Sequence, residues 1–464
     1  MILRELDVPA SVLRQLAASR PERYPVLFDS AADGPLSRTS VLVASPTGAL
    51  WLDAHGRLHA EGTAPRDITG SFLGALERWV AREPAAERWP DLPFAGGWAV
   101  FLGYELAAEI EPRLALPRAH DPLGWQAFAL RVPCALIHDR VSGKVRAIAE
   151  EGAATALAAI ESDVREVARS SCDSPAMLPP PAVARLLEEE PTAYLERVRR
   201  GKEYIRAGDI YQTNLSRRWR VELRDAPDVG RLYERLRAVN PAPFAALAQW
   251  RGGAVLSSSP ERLVRVVDRQ IETRPIAGTR PRSRLPGEDA LEMAALVAHP
   301  KERAEHIMLI DLERNDLGRV CEAGTVCVEE LMSIESYAHV HHIVSNVTGT
   351  LRPDVTLIEA LRAVFPGGTI TGCPKFRCMQ IIAELEGEGR GAYTGSLGLI
   401  GRDGSMDFNI LIRTMTLTGR TLEFRAGAGI VADSDPEREL EECRAKARGL
   451  LAAFGATGRA GEAA

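Results

Sequence analysis

Glycine and proline punctuate the second half of this chain densely, which breaks it into short, alternating strand-like and helical pieces. Four segments carry most of that punctuation: Leu256-Ser257-Ser258-Ser259-Pro260-Glu261-Arg262, Arg274-Pro275-Ile276-Ala277-Gly278-Thr279-Arg280-Pro281-Arg282, Phe365-Pro366-Gly367-Gly368-Thr369-Ile370-Thr371-Gly372-Cys373-Pro374-Lys375 and Arg425-Ala426-Gly427-Ala428-Gly429-Ile430. A glycine lets backbone N–H groups approach a ligand closely, and such groups bind carboxylates or phosphates. Each segment taken alone also reads as an ordinary turn. None has the G-x-x-x-x-G-K-[ST] spacing of a phosphate loop, so a nucleotide site is not supported.

The rest of the chain reads as mixed α and β. Val41–Ala44 has strand character, and Phe72, Leu73, Leu76 and Trp79 share one face of a helix within 68–82. Gly96-Gly97 predicts a tight turn into a buried strand, and 131–138 with 144–149 predicts a hairpin. Residues 153–168 are Ala-rich and helical. Three prolines, Pro179-Pro180-Pro181, mark a linker over 169–190 between an N-terminal region, 1–168, and a second domain, 191–456, followed by a flexible tail at 457–464. Thr192 is positioned to cap a helix closed by Gly208.

Composition excludes several classes. Of 464 residues, 57 are Lys or Arg and 63 are Asp or Glu, so the net charge of −6 offers no general attraction to nucleic acid or an anionic membrane. No stretch reaches the roughly 18 apolar residues of a membrane span, and the start lacks a secretory pattern. The 7 cysteines are odd in number and contain no Cys-x-x-Cys, which fits a reducing cytoplasm. No hydrolase or zinc-protease motif occurs, and His339-Val340-His341-His342 has no second ligand cluster to complete a zinc site.

Two acid pairs stand out. Glu302 and Glu305 share a face of a helix opened by Pro300, and Glu439 and Glu442 share a face of a later helix. Two such pairs present oxygen ligands of the kind Mg²⁺ takes, and equally the solvated face of a surface helix.

Taken in order, Ser259-Pro260-Glu261, Pro275-Ile276-Ala277-Gly278-Thr279, Asp311-Leu312-Glu313-Arg314-Asn315-Asp316-Leu317-Gly318-Arg319, Thr371-Gly372-Cys373-Pro374-Lys375 and Gly427-Ala428-Gly429 resemble the chorismate-utilising enzymes. That family includes component I of anthranilate and aminodeoxychorismate synthases, and the isochorismate and salicylate synthases. The resemblance runs from about Pro25 to Leu451. It implies an α+β fold of the anthranilate synthase component I type, two stacked antiparallel sheets flanked by helices.

Within the family, Tyr211-Gln212-Thr213-Asn214-Leu215, Pro366-Gly367-Gly368, Met406-Asp407 and the N-terminal Leu27-Phe28-Asp29-Ser30 resemble the aminodeoxychorismate branch. Ala277 departs from it, because most of that branch carries a nucleophilic Lys there and anthranilate synthases carry Ala. Cys373 replaces a usual Ala. The implied activity is Mg²⁺-dependent amination of chorismate to 4-amino-4-deoxychorismate for para-aminobenzoate and folate. Anthranilate synthesis and a catalytically inactive chorismate sensor are the alternatives.

The resemblance also implies roles. Glu261 acts as general acid, with Thr279 and His342 beside the leaving hydroxyl and Ala277 at the nucleophile position. Glu302, Glu305, Glu439 and Glu442 serve the Mg²⁺, while Tyr393, Arg413, Lys446 and the Gly427-Ala428-Gly429 backbone hold substrate. Ammonia then comes from a separate glutamine amidotransferase subunit, since no glutaminase segment is recognisable.

Overall fold

A computed structural model describes residues 1–118, 123–170, 179–282, 286–298, 300–336 and 340–455. Two antiparallel sheets stack face to face. The first runs, strand by hydrogen-bonded strand, Ile2–Leu6, Val145–Ala149, Cys134–Asp139, Thr39–Ala44, Val26–Asp29, Phe244–Trp250, Gly253–Ser259, Thr414–Thr418, Thr421–Ile430, Gln212–Leu223 and Val183–Glu188. The second runs Ile276–Pro281, Val340–Thr350, Gln270–Thr273, Arg262–Val267, Met406–Asn409, Ser396–Gly401, Gly97–Leu102, Trp125–Val132, Gly48–Asp53 and Leu58–Gly62.

Three apolar clusters explain the layering. One lies between the sheets and is rich in aromatics, with Phe101, Trp125 and Phe128 in mutual contact. A second packs helices Ser11–Ser19, Ala154–Ser170, Pro191–Arg206 and Pro436–Leu451 on the outside of the first sheet. A third packs Phe72–Arg82 and Leu357–Val364 on the outside of the second, together with helix Pro300–Gly318. The sheets cover each other on one face and the helices cover them on the other, so central strands such as Gly253–Ser259, Gly97–Leu102 and Ser396–Gly401 are buried throughout, while the edge strands are not.

The expected two-sheet α+β architecture is present. Both sheets draw strands from either side of the 169–190 segment: Val26–Asp29 pairs with Phe244–Trp250 and Gly97–Leu102 with Ser396–Gly401. The 1–168 and 191–456 regions therefore share one pair of sheets. The segment between them contains strand Val183–Glu188, paired with Gln212–Leu223, while 171–178 and the 457–464 tail lie outside the described residues.

The hairpin at 134–149, the buried strand after Gly96-Gly97 and the helix at 72–82 form where expected. The helix expected to be capped by Thr192 instead begins at Pro191, with Glu190 before it and no side-chain cap. Proline pre-sets the first helical φ and has no N–H to satisfy, so it takes the first position and moves Thr192 inside the helix.

Cys134, Cys321, Cys327, Cys373, Cys378 and Cys443 are free thiols. Among the described residues no helix is long and apolar enough to cross a membrane.

A buried ion cluster locks the second half together. Glu386, at the end of helix Lys375–Glu386, accepts hydrogen bonds from the Ser216 N–H and hydroxyl, each at 2.8 Å, and from Arg390 Nη2 at 2.8 Å. Arg425 Nη2 reaches it at 3.3 Å. Burial alone pushes a carboxyl pKa up, but Arg390 and Arg425 with the Ser216 N–H hold Glu386 down at about 2.

Glu386→Ala leaves two buried guanidiniums without their shared anion, so it should cost about 3–5 kcal/mol, read as a lowered midpoint in chemical denaturation. The folded pKa lies below the ordinary value, so this stabilisation is present above the ordinary carboxylate range. It drains away as pH falls toward about 2. A pH series of melts on wild type and variant should therefore converge in acid.

Candidate active site

Two stretches of chain pass from one sheet to the other side by side, and they carry the central groups of the site. Strand Gly253–Ser259 belongs to the first sheet and strand Arg262–Val267 to the second, so Pro260 and Glu261 bridge the gap. Strands Met406–Asn409 and Thr414–Thr418 are divided in the same way, and residues 410–413 bridge in the opposite sense. The crossings are tied by Ile410 N–H to Glu261 C=O at 3.0 Å and Ser258 N–H to Arg413 C=O at 3.1 Å. Arg413 sits at φ +51°, a left-handed turn that lets the chain leave one sheet and enter the next.

Glu261 is 4 % exposed. Its Oε1 has no hydrogen-bond partner among the described residues, and neither has the Thr369 hydroxyl that faces it. Burial pushes this carboxyl up to about 7, against the opposing pull of Thr369, the Ile276 N–H, Arg413 and Lys446. Near neutral pH it thus retains much of its proton. The Arg413 guanidinium faces Glu261, and burial lowers its pKa. His342 lies within the field of Arg413, and burial with that charge pushes its pKa down to about 3, which leaves a neutral imidazole.

Strand Ile276–Pro281 forms one wall. Its register slips between Ala277 and Thr279, where Gly278 takes φ +73°. Such a bulge re-aims the chain beside a site. A Cβ at Gly278 would stand 2.9 Å from Glu302 Oε2, so the glycine leaves room for that carboxylate. Thr279 pairs in register with His342, and Ala277 is buried with only a methyl group at its position. His341, next to His342, is engaged elsewhere, with Asp289 at 2.9 Å and Ser336 at 2.7 Å. His339 lies outside the described residues.

Strand Thr421–Ile430 forms the opposite wall. It pairs with Thr414–Thr418 only as far as Phe424, so residues 425–430 have no strand on that side among the described residues. Lys446 Nζ donates to the Gly427 C=O at 2.9 Å. In an antiparallel strand the N–H and C=O of one residue point the same way, and so do those two residues on. Gly427 and Gly429 therefore turn their N–H groups into the crevice. Two side chains of the neighbouring strand and one from the turn before strand Ser396–Gly401 fill the space that Cβ atoms there would need: Asn214 Oδ1 at 2.9 Å and Tyr393 Oη at 2.8 Å for Gly427, and Gln212 Nε2 at 2.3 Å for Gly429.

The two acid pairs lie on separate helices. Glu302 and Glu305 are half-buried on Pro300–Gly318. On Pro436–Leu451, Glu439 is buried and Glu442 pairs with Lys446 at 2.7 Å. Among the described residues no three acid, His or Cys groups gather to hold an ion by themselves.

Gln212, Thr213, Asn214 and Thr369 were not singled out by function in the sequence, yet Gln212 Oε1, Thr213 Oγ1, Asn214 Oδ1 and Thr369 Oγ1 are all buried without a hydrogen-bond partner among the described residues. Glu313 and Asp316 were missed in the same way. The spacing held a clue: His306, Leu309, Ile310, Glu313, Asp316 and Leu317 all fall on the buried face of one helix, so two acids stand on an apolar stripe.

The chorismate binding enzyme profile matches residues 9–452. Anthranilate synthase component 1 of Cereibacter sphaeroides is 38 % identical over 468 residues, covering 96 % of this chain and 92 % of that protein. Its counterpart from Streptomyces coelicolor is 43 % identical over 406 residues, covering 83 % and 77 %. Among solved structures, anthranilate synthase component I from Streptococcus pneumoniae superposes with a TM-score of 0.77 at 30 % identity, covering 89 % of this chain and 92 % of that one. The menaquinone-specific isochorismate synthase of Escherichia coli, 19 % identical with a TM-score of 0.70, covers 98 % of this chain and 94 % of its own and shares the fold. Because the match spans nearly the whole sequence and takes in both sheet crossings, this chain belongs to the chorismate binding enzyme family and has the fold of anthranilate synthase component I.

Proposed function

We propose that this chain aminates chorismate to 4-amino-4-deoxychorismate, on the way to para-aminobenzoate and folate, with Mg²⁺ and with ammonia from a glutamine amidotransferase subunit. The observation that carries the reading is Glu261, a dry carboxyl group that keeps its proton near neutral pH in the field of the half-buried Arg413 guanidinium. Chorismate is a dianion with a leaving hydroxyl. Arg413 and Lys446, with the Gly427 and Gly429 N–H groups, offer charge and donors to one carboxylate. Tyr393 adds a hydroxyl beside Gly427. Glu261 gives its proton to the hydroxyl as the C–O bond breaks, and water leaves. Neutral His342, with Thr279, hydrogen-bonds the departing oxygen. Ammonia forms the new C–N bond and sheds a proton, so the reaction consumes no net acid.

Glu302, Glu305, Glu439 and Glu442 are hard oxygen donors, and Gly278 clears space at Glu302. Mg²⁺ typically takes one or two carboxylates and completes its shell with water, so these four residues are the ones that would hold it. When bound it neutralises the ring carboxylate.

Ala277 supports a second reading. Its methyl group leaves a space where a lysine amine would stand, and the relatives named above are anthranilate synthases. Ammonia lodged there would add beside the ring carboxylate and lead to anthranilate. The aminodeoxychorismate reading is favoured by Tyr211-Gln212-Thr213-Asn214, whose Gln212 and Asn214 side chains lie against the substrate strand. It is also favoured by Asp29, whose carboxylate is taken up by Arg237 at 2.9 Å and Ser40 at 2.9 Å in place of the Glu that anthranilate synthases carry in that element.

Glu261→Gln should lower turnover roughly 10²–10⁴-fold. In wild type, at fixed free ammonia, the rate should fall as pH rises through about 7, because the acid is then lost. A variant within a few-fold of wild type would assign the proton to another donor.

Chelation of divalent ions should abolish turnover and added Mg²⁺ restore it, with Glu305→Ala and Glu442→Ala inactive but folded by circular dichroism. Full activity in chelator would remove the metal from the mechanism.

Chromatography of a reaction with chorismate, Mg²⁺ and ammonia should give para-aminobenzoate only when an aminodeoxychorismate lyase is added. Anthranilate with and without the lyase would select the second reading. Glutamine should support the reaction only with an amidotransferase present.

A further inference from the structure

Arg390 is one of the two cations on Glu386, but that carboxylate takes only two of the five N–H donors of its guanidinium, at 3.0 and 2.8 Å. The other three leave the ion cluster. Nη2 donates to the Asn214 C=O at 2.7 Å, and Nη1 to the Ile370 C=O at 3.1 Å and the Thr394 hydroxyl at 3.4 Å. The guanidinium carbon also lies 5.6 Å from the centre of the Tyr393 ring. One buried side chain therefore grips the substrate-side strand, the 367–373 stretch and the turn that carries Tyr393.

That turn is strained. Thr394 is β-branched and sits at φ +61°, a region such residues rarely enter. Its hydroxyl accepts from Arg390 and donates to the Tyr393 C=O. Its N–H donates to the Leu411 C=O at 2.8 Å, and the Leu411 N–H donates to the Gly395 C=O at 2.9 Å, so the turn is stapled to the sheet crossing that carries Arg413. Asn214 is fixed on both sides of its backbone, by Arg390 at its C=O and by the Thr371 C=O, which accepts from its N–H at 2.9 Å. The outcome is a convergence: Tyr393 Oη and Asn214 Oδ1 both lie within 2.9 Å of the point where a Cβ on Gly427 would stand. Backbone strain persists only where the surroundings over-determine it, and it concentrates at functional sites.

We propose that Arg390 is a positioning residue for substrate binding: through Thr394 and the Asn214 C=O it holds the Tyr393 hydroxyl over Gly427, ready for the substrate carboxylate. The inference rests on the role given above to Tyr393 and Gly427. A hydroxyl already fixed in place donates to a carboxylate without an ordering cost when substrate arrives. Neither Arg390 nor Thr394 belongs to the proton-transfer machinery around Glu261, so the clamp contributes equally to the bound substrate and the transition state. Its loss then falls on KM and not on kcat.

The test uses three variants of the full chain. Thr394→Val keeps the shape and removes only the hydroxyl between Arg390 and Tyr393. Arg390→Lys keeps a cation beside Glu386, but its donors all stem from one nitrogen and cannot span the three further acceptors. Tyr393→Phe removes the hydroxyl being aimed. Chorismate binding is measured by titration calorimetry with Mg²⁺ and without ammonia, and KM and kcat are taken from chorismate loss with ammonia.

Tyr393→Phe and Arg390→Lys should each weaken binding and raise KM roughly tenfold, and Thr394→Val roughly three- to tenfold, with kcat within about twofold throughout. Thr394→Val added to Tyr393→Phe should weaken binding no further, because the clamp then has no hydroxyl to aim. Thr394→Val leaves the ion cluster whole and decides the matter if the lysine variant unfolds. Wild-type binding and KM in Thr394→Val, or a loss of the same size in the Tyr393→Phe background, would overturn the proposal. An unexpected product would count against the proposed amination and not against the clamp, which is read from binding and chorismate loss. Failure of the wild-type chain to bind chorismate would overturn the proposed function and the clamp with it.

Discussion

The site depends on a pair of backbone hydrogen bonds between two crossings of the inter-sheet gap. Ile410 N–H to Glu261 C=O and Ser258 N–H to Arg413 C=O tie together chain segments about 150 residues apart in sequence. Each crossing leaves one sheet and enters the other, so neither residue belongs to a flat, solvated face. The bonds bring a buried acid and a half-buried guanidinium to the same gap between the sheets. Other parts of the site are arranged around that contact: Gly278 and His342 on one wall, Gly427 and Lys446 on the other.

Two buried glutamates show what such placement decides. Glu386 receives hydrogen bonds from Ser216, Arg390 and Arg425, and its pKa is held down at about 2. Glu261 is as dry, but its Oε1 has no hydrogen-bond partner among the described residues, and burial disfavours the charge of Arg413, in whose field it lies. Its pKa rises to about 7. The residue type is the same; the count of donors within reach separates a carboxylate held ionised from an acid that keeps much of its proton near neutral pH.

The glycines of strand Thr421–Ile430 have a similarly local cause. At Gly427 and Gly429 a side chain would strike Asn214, Tyr393 or Gln212. Their role is to let polar side chains of the adjacent strand reach across the ladder while their own N–H groups turn into the crevice. Ala277 is the complementary case, a small buried residue on the facing wall whose side chain ends at a methyl group.

Much of this protein is written in its linear order. The punctuation of the second half, the hairpin at 134–149, the acid pairs and the residue types of the SPE, GAG and TGCPK segments are all legible in sequence, because turn chemistry and periodicity are local properties. The sequence also resembled its family closely enough to imply the two-sheet fold.

Other features required tertiary structure. Which strands share a sheet is set by contacts hundreds of residues apart, so the 169–190 segment reads as a linker although the chain on its two sides interleaves. Glu302, Glu313 and Glu386 are all acids on or ending a helix, and no local pattern tells a half-buried carboxylate beside a bulge from a sealed one, or an ionised one from a protonated one. That depends on the solvent excluded and the donors supplied by the elements packed around each, and it is decided only when the sheets close.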